Sequence, residues 1–138
     1  MAFEQTLTTS FKQEVLLGVH DLDTDTIKLA LYTAEANLGA DTTVYGTTSE
    51  VVGTGYTAGG EALTGATVLT SGTTAYVDFN NAVWPVANFT ARGALIYNAS
   101  KGNKSIAVLD FGADKTTTTS FTVQMPANTA TSALIRFA

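Results

Sequence analysis

The feature that most constrains the fold is an alternation of apolar and polar residues with a period of two, which recurs in five separate segments. In the first, Ile27, Leu29 and Leu31 alternate with the residues between them, which predicts a half-buried strand over residues 27–32. The other segments are residues 76–79, 106–111, 121–125 and 133–137. Clusters of Gly, Asn, Asp and Ser separate them at short intervals, as is typical of a β-sandwich or barrel rather than βαβ units.

Two of the apolar segments carry more detailed expectations. Residues 91–97 are more continuously apolar, as expected of a central strand that is covered on both faces. In residues 106–111 the alternation predicts one face with Ile106, Val108 and Asp110 and another with Ala107, Leu109 and Phe111. The residues expected in the core are Ile27, Leu29, Leu31, Val77, Phe79, Leu95, Val108, Phe121, Val123 and Ile135.

One helix is expected near the start of the chain, over residues 10–19. Ser10 and Gln13 have the spacing of a capping box, in which both side chains satisfy free backbone donors at a helix N-terminus. The aspartates at positions 21, 23 and 25 favour a turn, so the helix should end before them. The apolar stripe of this helix is predicted to consist of Phe11, Val15 and Val19, with Leu16 beside them.

The expected organisation is one domain over residues 10–138 behind an N-terminal arm over residues 1–9. The predicted fold is mainly β: an antiparallel β-sandwich, jelly-roll-like, with one short N-terminal helix. The arm is apolar at Phe3 and Leu7 and is otherwise expected to be flexible. Residues 34–72 are rich in Gly and Thr, and we expect them to form an irregular contact loop.

The composition argues against several classes of function. Seven basic and 12 acidic residues in 138 give a net charge of -5, which disfavours binding to nucleic acid through clustered Lys and Arg. The chain has no Cys and one His, so it has no thiol chemistry and little general-base chemistry. It shows no signal peptide and no apolar run of membrane-spanning length, so we expect assembly in the cytoplasm and no membrane partner.

Short patterns that resemble catalytic or binding motifs each lack a required residue. Asp21, Asp23 and Asp25 match the first ligand positions of a calcium loop, and a polar turn is the simpler interpretation. At the later positions, Thr26 stands where glycine is needed and Tyr32 where glutamate is needed.

The single histidine and a glycine-rich segment are interpreted in the same way. His20 could join Ser10 and an aspartate in a hydrolytic triad, but no nucleophile elbow is present, and a contact with the helix C-terminus is expected instead. Residues 53–60 lack the lysine of a phosphate-binding loop, and no helix pattern follows them. We therefore predict no enzyme activity, no catalytic residues, no cofactor and no metal site.

Several stretches resemble small virion proteins of tailed bacteriophages. They are the strand Ile27-Lys28-Leu29-Ala30-Leu31-Tyr32-Thr33, the segment Glu50–Gly60 with its Val-Gly-Thr-Gly-Tyr-Thr-Ala-Gly-Gly run, and the later stretches Phe89–Tyr97 and Leu109–Gly112. The resemblance spans about residues 27–112. It implies a structural component without catalytic residues, for which a head decoration or cement protein fits the size best. A tail, neck or fibre component is the next alternative.

The composition independently suits a virion protein of high copy number, because such a protein should be small, weakly charged and free of oxidisable thiols. The expected location is the outer surface of the head, after assembly in the cytoplasm of the bacterial host. The expected partners are the major capsid protein and a second copy of the chain, with a homodimer favoured and a trimer as the competitor. The alternative from another class is an adhesin module that binds a host surface or a carbohydrate.

Contacts with the shell are expected from residues 40–60 and from the N-terminal arm. Because few charged residues lie there, binding should survive high salt, which screens ionic contacts. The residues predicted at the interface are Phe3, Leu7, Tyr45, Val51, Val52 and Tyr56.

Overall fold

The computed structural model describes residues 3–137 and is mainly β, with 44% of the residues in strands and 8% helical. The helix α1 covers Thr9–Leu16, and a 3-10 turn covers Ala99–Lys101. The strands are β1 (Thr6–Leu7), β2 (Ile27–Tyr32), β3 (Glu61–Ala62), β4 (Thr67–Ser71), β5 (Thr74–Asp78), β6 (Ala82–Trp84), β7 (Phe89–Asn98), β8 (Lys104–Thr117), β9 (Phe121–Val123) and β10 (Ile135–Phe137).

These strands form three sheets, and every pairing between them is antiparallel. The largest sheet has the order β1-β8-β7-β2-β3, the second has the order β10-β5-β4, and the third consists of β6 and β9. The prediction of a mainly β, antiparallel fold with one short helix is therefore confirmed.

The larger core cluster lies on one face of the five-stranded sheet. It contains Ile27, Leu29 and Leu31 of β2 together with residues of β5, β6, β9 and β10. The aromatic side chains of Trp84 and Phe121 pack there with a ring-centroid separation of 6.1 Å. The ten residues expected in the core are all buried, which confirms that prediction.

A second core cluster occupies the other face of the same sheet. Ala30 and Tyr32 of β2 are buried in it, and Leu38 and Tyr45 pack against it. The expectation that β2 is half-buried is therefore wrong, because Ala36, Leu38 and Tyr45 pack in the cluster on its second face. The expectation for residues 91–97 is confirmed, since β7 lies between β8 and β2 and contributes to both clusters.

A β-bulge changes the alternation in β8. Ile96 pairs with Ala107 while Tyr97 pairs with Ser105, so Ile106 is the extra residue in the ladder. As a result, Ile106 joins the larger cluster together with Ala107, and Val108 alone faces the second cluster. The predicted grouping of Ile106 with Val108 is wrong, because the period of two does not continue through a bulge.

The helix begins earlier and ends earlier than residues 10–19. Its N-cap is Thr8, not Ser10: the buried Thr8 hydroxyl accepts a hydrogen bond from the backbone N–H of Phe11. At the other end, Gly18 has φ +73°, and the N–H of Val19 donates to the carbonyl of Glu14, which is a Schellman ending. Leu16, expected in the apolar stripe, is 87% exposed, and Phe11 is the buried residue of the helix.

The segment before the helix is paired with the sheet rather than free. Thr6 and Leu7 form β1 and pair with Val108 and Ala107 of β8. The expectation of a flexible arm is thus wrong for residues 3–9, because backbone pairing and the Thr8 cap hold them; residues 1 and 2 lie outside the described residues. The region 34–72 is also more regular than expected, since it contains β3 and β4.

Candidate interaction surface

The six residues predicted at an interface are divided between the two core clusters. Phe3 and Tyr45 pack against the second cluster, and Leu7 and Tyr56 pack against the larger one. The remaining two are the neighbours Val51, which is buried, and Val52, which is 95% exposed. Among the six, Val52 alone presents a fully exposed side chain.

A buried carboxylate brings two of these residues together. Glu50, only 7% exposed, accepts a hydrogen bond from the Tyr45 hydroxyl at 2.6 Å through Oε1. Its Oε2 accepts from the Tyr56 hydroxyl and, at 2.8 Å, from the backbone N–H of Gly59. Because both oxygens have donors, the carboxylate is compensated in the interior.

The surrounding tyrosines are held as neutral phenols. Burial, and secondarily the negative charge of Glu50, raises the pKa of Tyr97 to about 12. The pKa of Tyr45 and that of Tyr56 are raised further, first by burial and then by the hydrogen bonds to Glu50. The rings of Tyr45 and Tyr97 stack with a centroid distance of 4.6 Å. The arrangement anchors residues 44–60 beside β2, with Tyr45 in contact with the second core cluster and Tyr56 in contact with the larger one.

Glycine allows the same segment to approach the backbone of distant parts of the chain closely. Gly60 has φ +79°, and a Cβ atom there would be 1.8 Å from the carbonyl oxygen of Leu29. A Cβ atom on Gly55, at φ +86°, would be 1.7 Å from the carbonyl oxygen of Val86. Both glycines therefore serve close contacts within this chain.

His20 lies in a hydrogen-bond network that does not include Ser10. Its Nε2 is 2.9 Å from Oε1 of Glu14, and its Nδ1 is 3.0 Å from Nδ2 of Asn98. The buried Asn98 amide also donates to Asp25 at 2.8 Å. The hydroxyl of Ser10 is instead 3.3 Å from that of Ser105. The network joins the end of α1 to the end of β7.

The segment with Asp21, Asp23 and Asp25, which resembles the start of a calcium loop, forms a hydrogen-bonded turn. Asp21 accepts from the backbone N–H groups of Asp23 and Thr24. The Thr24 side chain, followed by these two backbone groups, lowers the pKa of Asp21. The hydrogen bond from Asn98 is the main factor that holds the pKa of Asp25 at about 2, and Lys101 adds to it. Within residues 3–137, no group of three or more His, Cys, Asp or Glu side chains is arranged to hold a metal ion.

The exposed apolar surface lies mostly outside the predicted interface. Besides Val52, the large apolar side chains that are exposed belong to Leu16, Leu17, Val44, Val68, Leu69, Val83, Val86 and Phe137. Sequence reasoning missed β4 with its Val68 and Leu69, although the absence of any charged residue between Glu61 and Asp78 is a signal that points to this region.

No protein-family model matches this chain, and no curated protein or solved structure matches it at a significant level. In the described part of the chain, none of the helices has the length and apolar character needed to cross a bilayer.

Proposed function

We propose that this chain is a non-enzymatic structural component of a tailed-bacteriophage virion. In this proposal it is a decoration or cement protein on the outer surface of the head, where it stabilises the shell by binding the major capsid protein. The resemblance of residues 27–112 to small virion proteins supports the proposal, together with the distribution of polar and apolar side chains.

The observation that carries the proposal is the contrast between the interior and the surface. The groups with potential chemistry are occupied by structural contacts: Glu50 by two phenols and a backbone N–H, and His20 by Glu14 and Asn98. The surface instead presents large apolar side chains, of which Val52 is the most exposed. Such a surface suits assembly with other chains more than it suits catalysis.

The finer architecture is part of the proposal. We infer that the three sheets pack as a jelly-roll-like β-sandwich, with the larger core cluster as its interior. This inference is supported by the composition of that cluster, which includes Leu29 of the five-stranded sheet, Ile135 of the three-stranded sheet and Phe121 of the two-stranded sheet.

Contact with the shell is proposed through the exposed side of residues 40–60. Val44 and Val52 are the large apolar side chains there that lie open to solvent. Because such a contact is apolar, it should withstand 1 M salt, where the Debye length is about 3 Å.

The test is to count copies of this chain in purified particles of the phage that encodes it, by quantitative mass spectrometry. Hundreds of copies that survive a wash in molar salt would support the head assignment. A few dozen copies would indicate the tail, neck or fibres, and no copies would refute the virion assignment.

A matched pair of variants tests the proposed contact. Val52→Asp should reduce the number of retained copies, because it places a charge in an apolar contact. Thr118→Asp adds the same charge at another exposed position and should leave retention unchanged. Equal retention of both variants would exclude Val52 from the contact.

A carbohydrate-binding adhesin is the second candidate, and one groove favours it. The groove has a volume of about 950 Å³ and lies between the β1–β8 edge and β9, with Phe111 and Phe121 beside the polar Gln5 and Gln124. Aromatic and amide side chains together can bind a sugar. Thermal unfolding with and without a panel of glycans tests it, since a bound ligand must raise the unfolding temperature.

A further inference from the structure

We propose that the outer edge of β4 pairs with β4 of a second copy, so that two chains form a homodimer with one continuous antiparallel sheet across a two-fold axis. This inference locates the contact between copies. It does not depend on where in a virion the protein lies.

The first argument is that β4 is an unprotected sheet edge. It is the outermost strand in the order β10-β5-β4, and its five residues are all exposed. Proteins usually protect such edges with Lys, Pro, charged side chains or bulges. The β4 sequence Thr67-Val68-Leu69-Thr70-Ser71 contains none of these, and its ladder with β5 is regular.

The other sheet edges in the described residues differ from β4. The free part of β8 carries Asp110, Asp114 and Lys115, and β10 carries Arg136. The strands β1 and β3 have two residues each, and β6 and β9 have three each. Among these edges, β4 offers the longest uncharged run to an incoming strand.

The second argument comes from the hydrogen-bond register. Ser71 pairs with Thr74 across a two-residue turn, so this pair is of the hydrogen-bonded type. Because the two types of pair alternate along an antiparallel ladder, the backbone groups of Val68 and Thr70 point away from β5. They are therefore available to a strand on the outer side.

If the two-fold axis passes at Leu69, all the outward-pointing backbone groups of Val68 and Thr70 form hydrogen bonds. Val68 of each copy would then face Thr70 of the other in hydrogen-bonded pairs, which gives four backbone hydrogen bonds in total. The two Leu69 residues would face each other in a non-hydrogen-bonded pair, where side chains approach closely. Thr67 would lie opposite Ser71, so hydroxyls meet hydroxyls.

The third argument is electrostatic and favours a second copy over another occupant. In a two-fold contact, residues near the axis face their own counterparts, so a charged residue there would meet a like charge. With a net charge of -5, this chain avoids repulsion between copies best at a neutral surface. The uncharged run from Ala62 to Val77, which contains β4, meets that condition.

The contact between two five-residue strands is small compared with the roughly 1,200 Å² of a standard stable interface. We therefore expect a reversible dimer whose fraction rises with concentration, as measured by sedimentation. High local concentration on an assembled particle would favour it further.

A single cysteine tests the register directly, because the natural chain has no Cys. In the proposed dimer the two Cα atoms at position 69 are about 4.5 Å apart, a separation that a disulfide can bridge. Leu69→Cys should therefore form a disulfide-linked dimer when oxidised glutathione accepts the electrons of the two thiols. Val83→Cys on β6, where the natural valine is 46% exposed compared with 42% for Leu69, is the matched control. Cross-linking of both variants at the same rate would overturn the proposal.

A second pair of variants tests the energetics. Leu69→Lys places two positive charges on the axis and should weaken the dimer at least about tenfold, whereas Val83→Lys should not change it. If Leu69→Lys remains fully dimeric, or if the natural chain is a monomer at millimolar concentration, the proposal is wrong. Loss of this variant from particles without any change in solution mass would show that β4 binds a different chain. Since these measurements use the purified chain, their failure is distinct from absence of the protein from particles.

Discussion

Residues 44–60 and the β4–β5 hairpin have similar compositions and opposite structural environments. Both are rich in Thr and almost uncharged, with Glu50 as the only charged residue of the first and Asp78 as the only one of the second. The first segment runs beside β2, where Tyr45 packs against the second core cluster, Tyr56 packs against the larger one, and both hydroxyls donate to Glu50. In the hairpin, β4 is exposed along its whole length.

The difference shows what allows one of two almost uncharged segments to become buried while the other stays exposed. Residues 44–60 carry two tyrosines whose aromatic rings are stabilised by removal from water. The Glu50 carboxylate accepts a hydrogen bond from each of their hydroxyls. The β4 strand has no aromatic side chain and no buried carboxylate, and all five of its residues are exposed. Apolar area and polar compensation must therefore occur together before a loop packs on a sheet.

The largest effect on the unfolding free energy is expected from Gly60→Ala, which disrupts the close approach of residues 44–60 to β2. The new Cβ would overlap the carbonyl oxygen of Leu29, so we expect a loss of more than about 4 kcal/mol of unfolding free energy or no folded protein. Gly72→Ala in the hairpin turn is the control, because its φ is also positive but nothing lies within 4 Å. It should cost about 1–2 kcal/mol, and similar losses in urea unfolding would contradict the comparison.

Removal of the buried acceptor should have the next largest effect. Glu50→Ala leaves two phenols and the Gly59 N–H without their acceptor, and we expect a loss of about 3–5 kcal/mol. Glu35→Ala, which removes an exposed carboxylate, should change stability by less than about 0.5 kcal/mol. Chemical denaturation measures both, and a small effect at Glu50 would mean that it does not anchor the segment.

Removal of one tyrosine hydroxyl from each region should have unequal effects on stability. Tyr45→Phe keeps the stacking on Tyr97 and removes one hydrogen bond to the carboxylate, so we expect a loss of about 1.5–3 kcal/mol. Tyr76 of β5 makes no side-chain hydrogen bond among the described residues, so Tyr76→Phe should be nearly neutral. Equal losses in thermal unfolding would show that the Glu50 contact contributes no stability.

Asp78 differs from Glu50 because one oxygen of its buried carboxyl group has no hydrogen-bond donor. Its effect on stability should therefore depend on pH. Its Oδ1 accepts from the Phe79 N–H, while Oδ2 has no hydrogen-bond partner, and burial raises the pKa of Asp78. Its contribution to stability is therefore full below the unfolded-state pKa of 3.8 and is lost as the pH rises through the folded-state pKa.

Asp78→Asn removes this titration. The variant should gain stability relative to the natural chain as the pH rises from 3 to 7, as measured by thermal unfolding at each pH. A difference between the two proteins that stays constant over this range would contradict the assignment to Asp78.

The smallest effect is expected for the exposed strand itself. Leu69→Lys should change the unfolding free energy of the monomer by less than about 0.5 kcal/mol, because Leu69 is exposed and belongs to neither core cluster. The measurement must be made at low concentration so that association does not contribute. A larger loss would show that β4 depends on Leu69 for its own folding.

The alternation of apolar residues by itself determined much of the fold. Because successive side chains of a strand point to opposite faces, Ile27, Leu29 and Leu31 had to share a buried face once that face met a core. The same reasoning located Val77 and Ile135 in the interior. The absence of Cys and the scarcity of His are likewise properties of the sequence that no fold can change.

The site depended on contacts that local pattern does not encode. The Tyr45 and Tyr56 hydroxyls meet at Glu50 only because residues 44–60 fold back onto the sheet. The N-cap is Thr8 because β1 pairs with β8, and the Thr8 hydroxyl lies 3.0 Å from that of Ser105, 97 positions away in the chain.

The tertiary structure also decided which faces and edges are covered. The extra residue of the β8 bulge is Ile106, both faces of β2 are buried and β4 is exposed, and none of these three features follows from the local sequence pattern. The physical reason is that backbone geometry fixes the direction of a side chain locally, whereas its burial depends on which distant part of the chain packs over it.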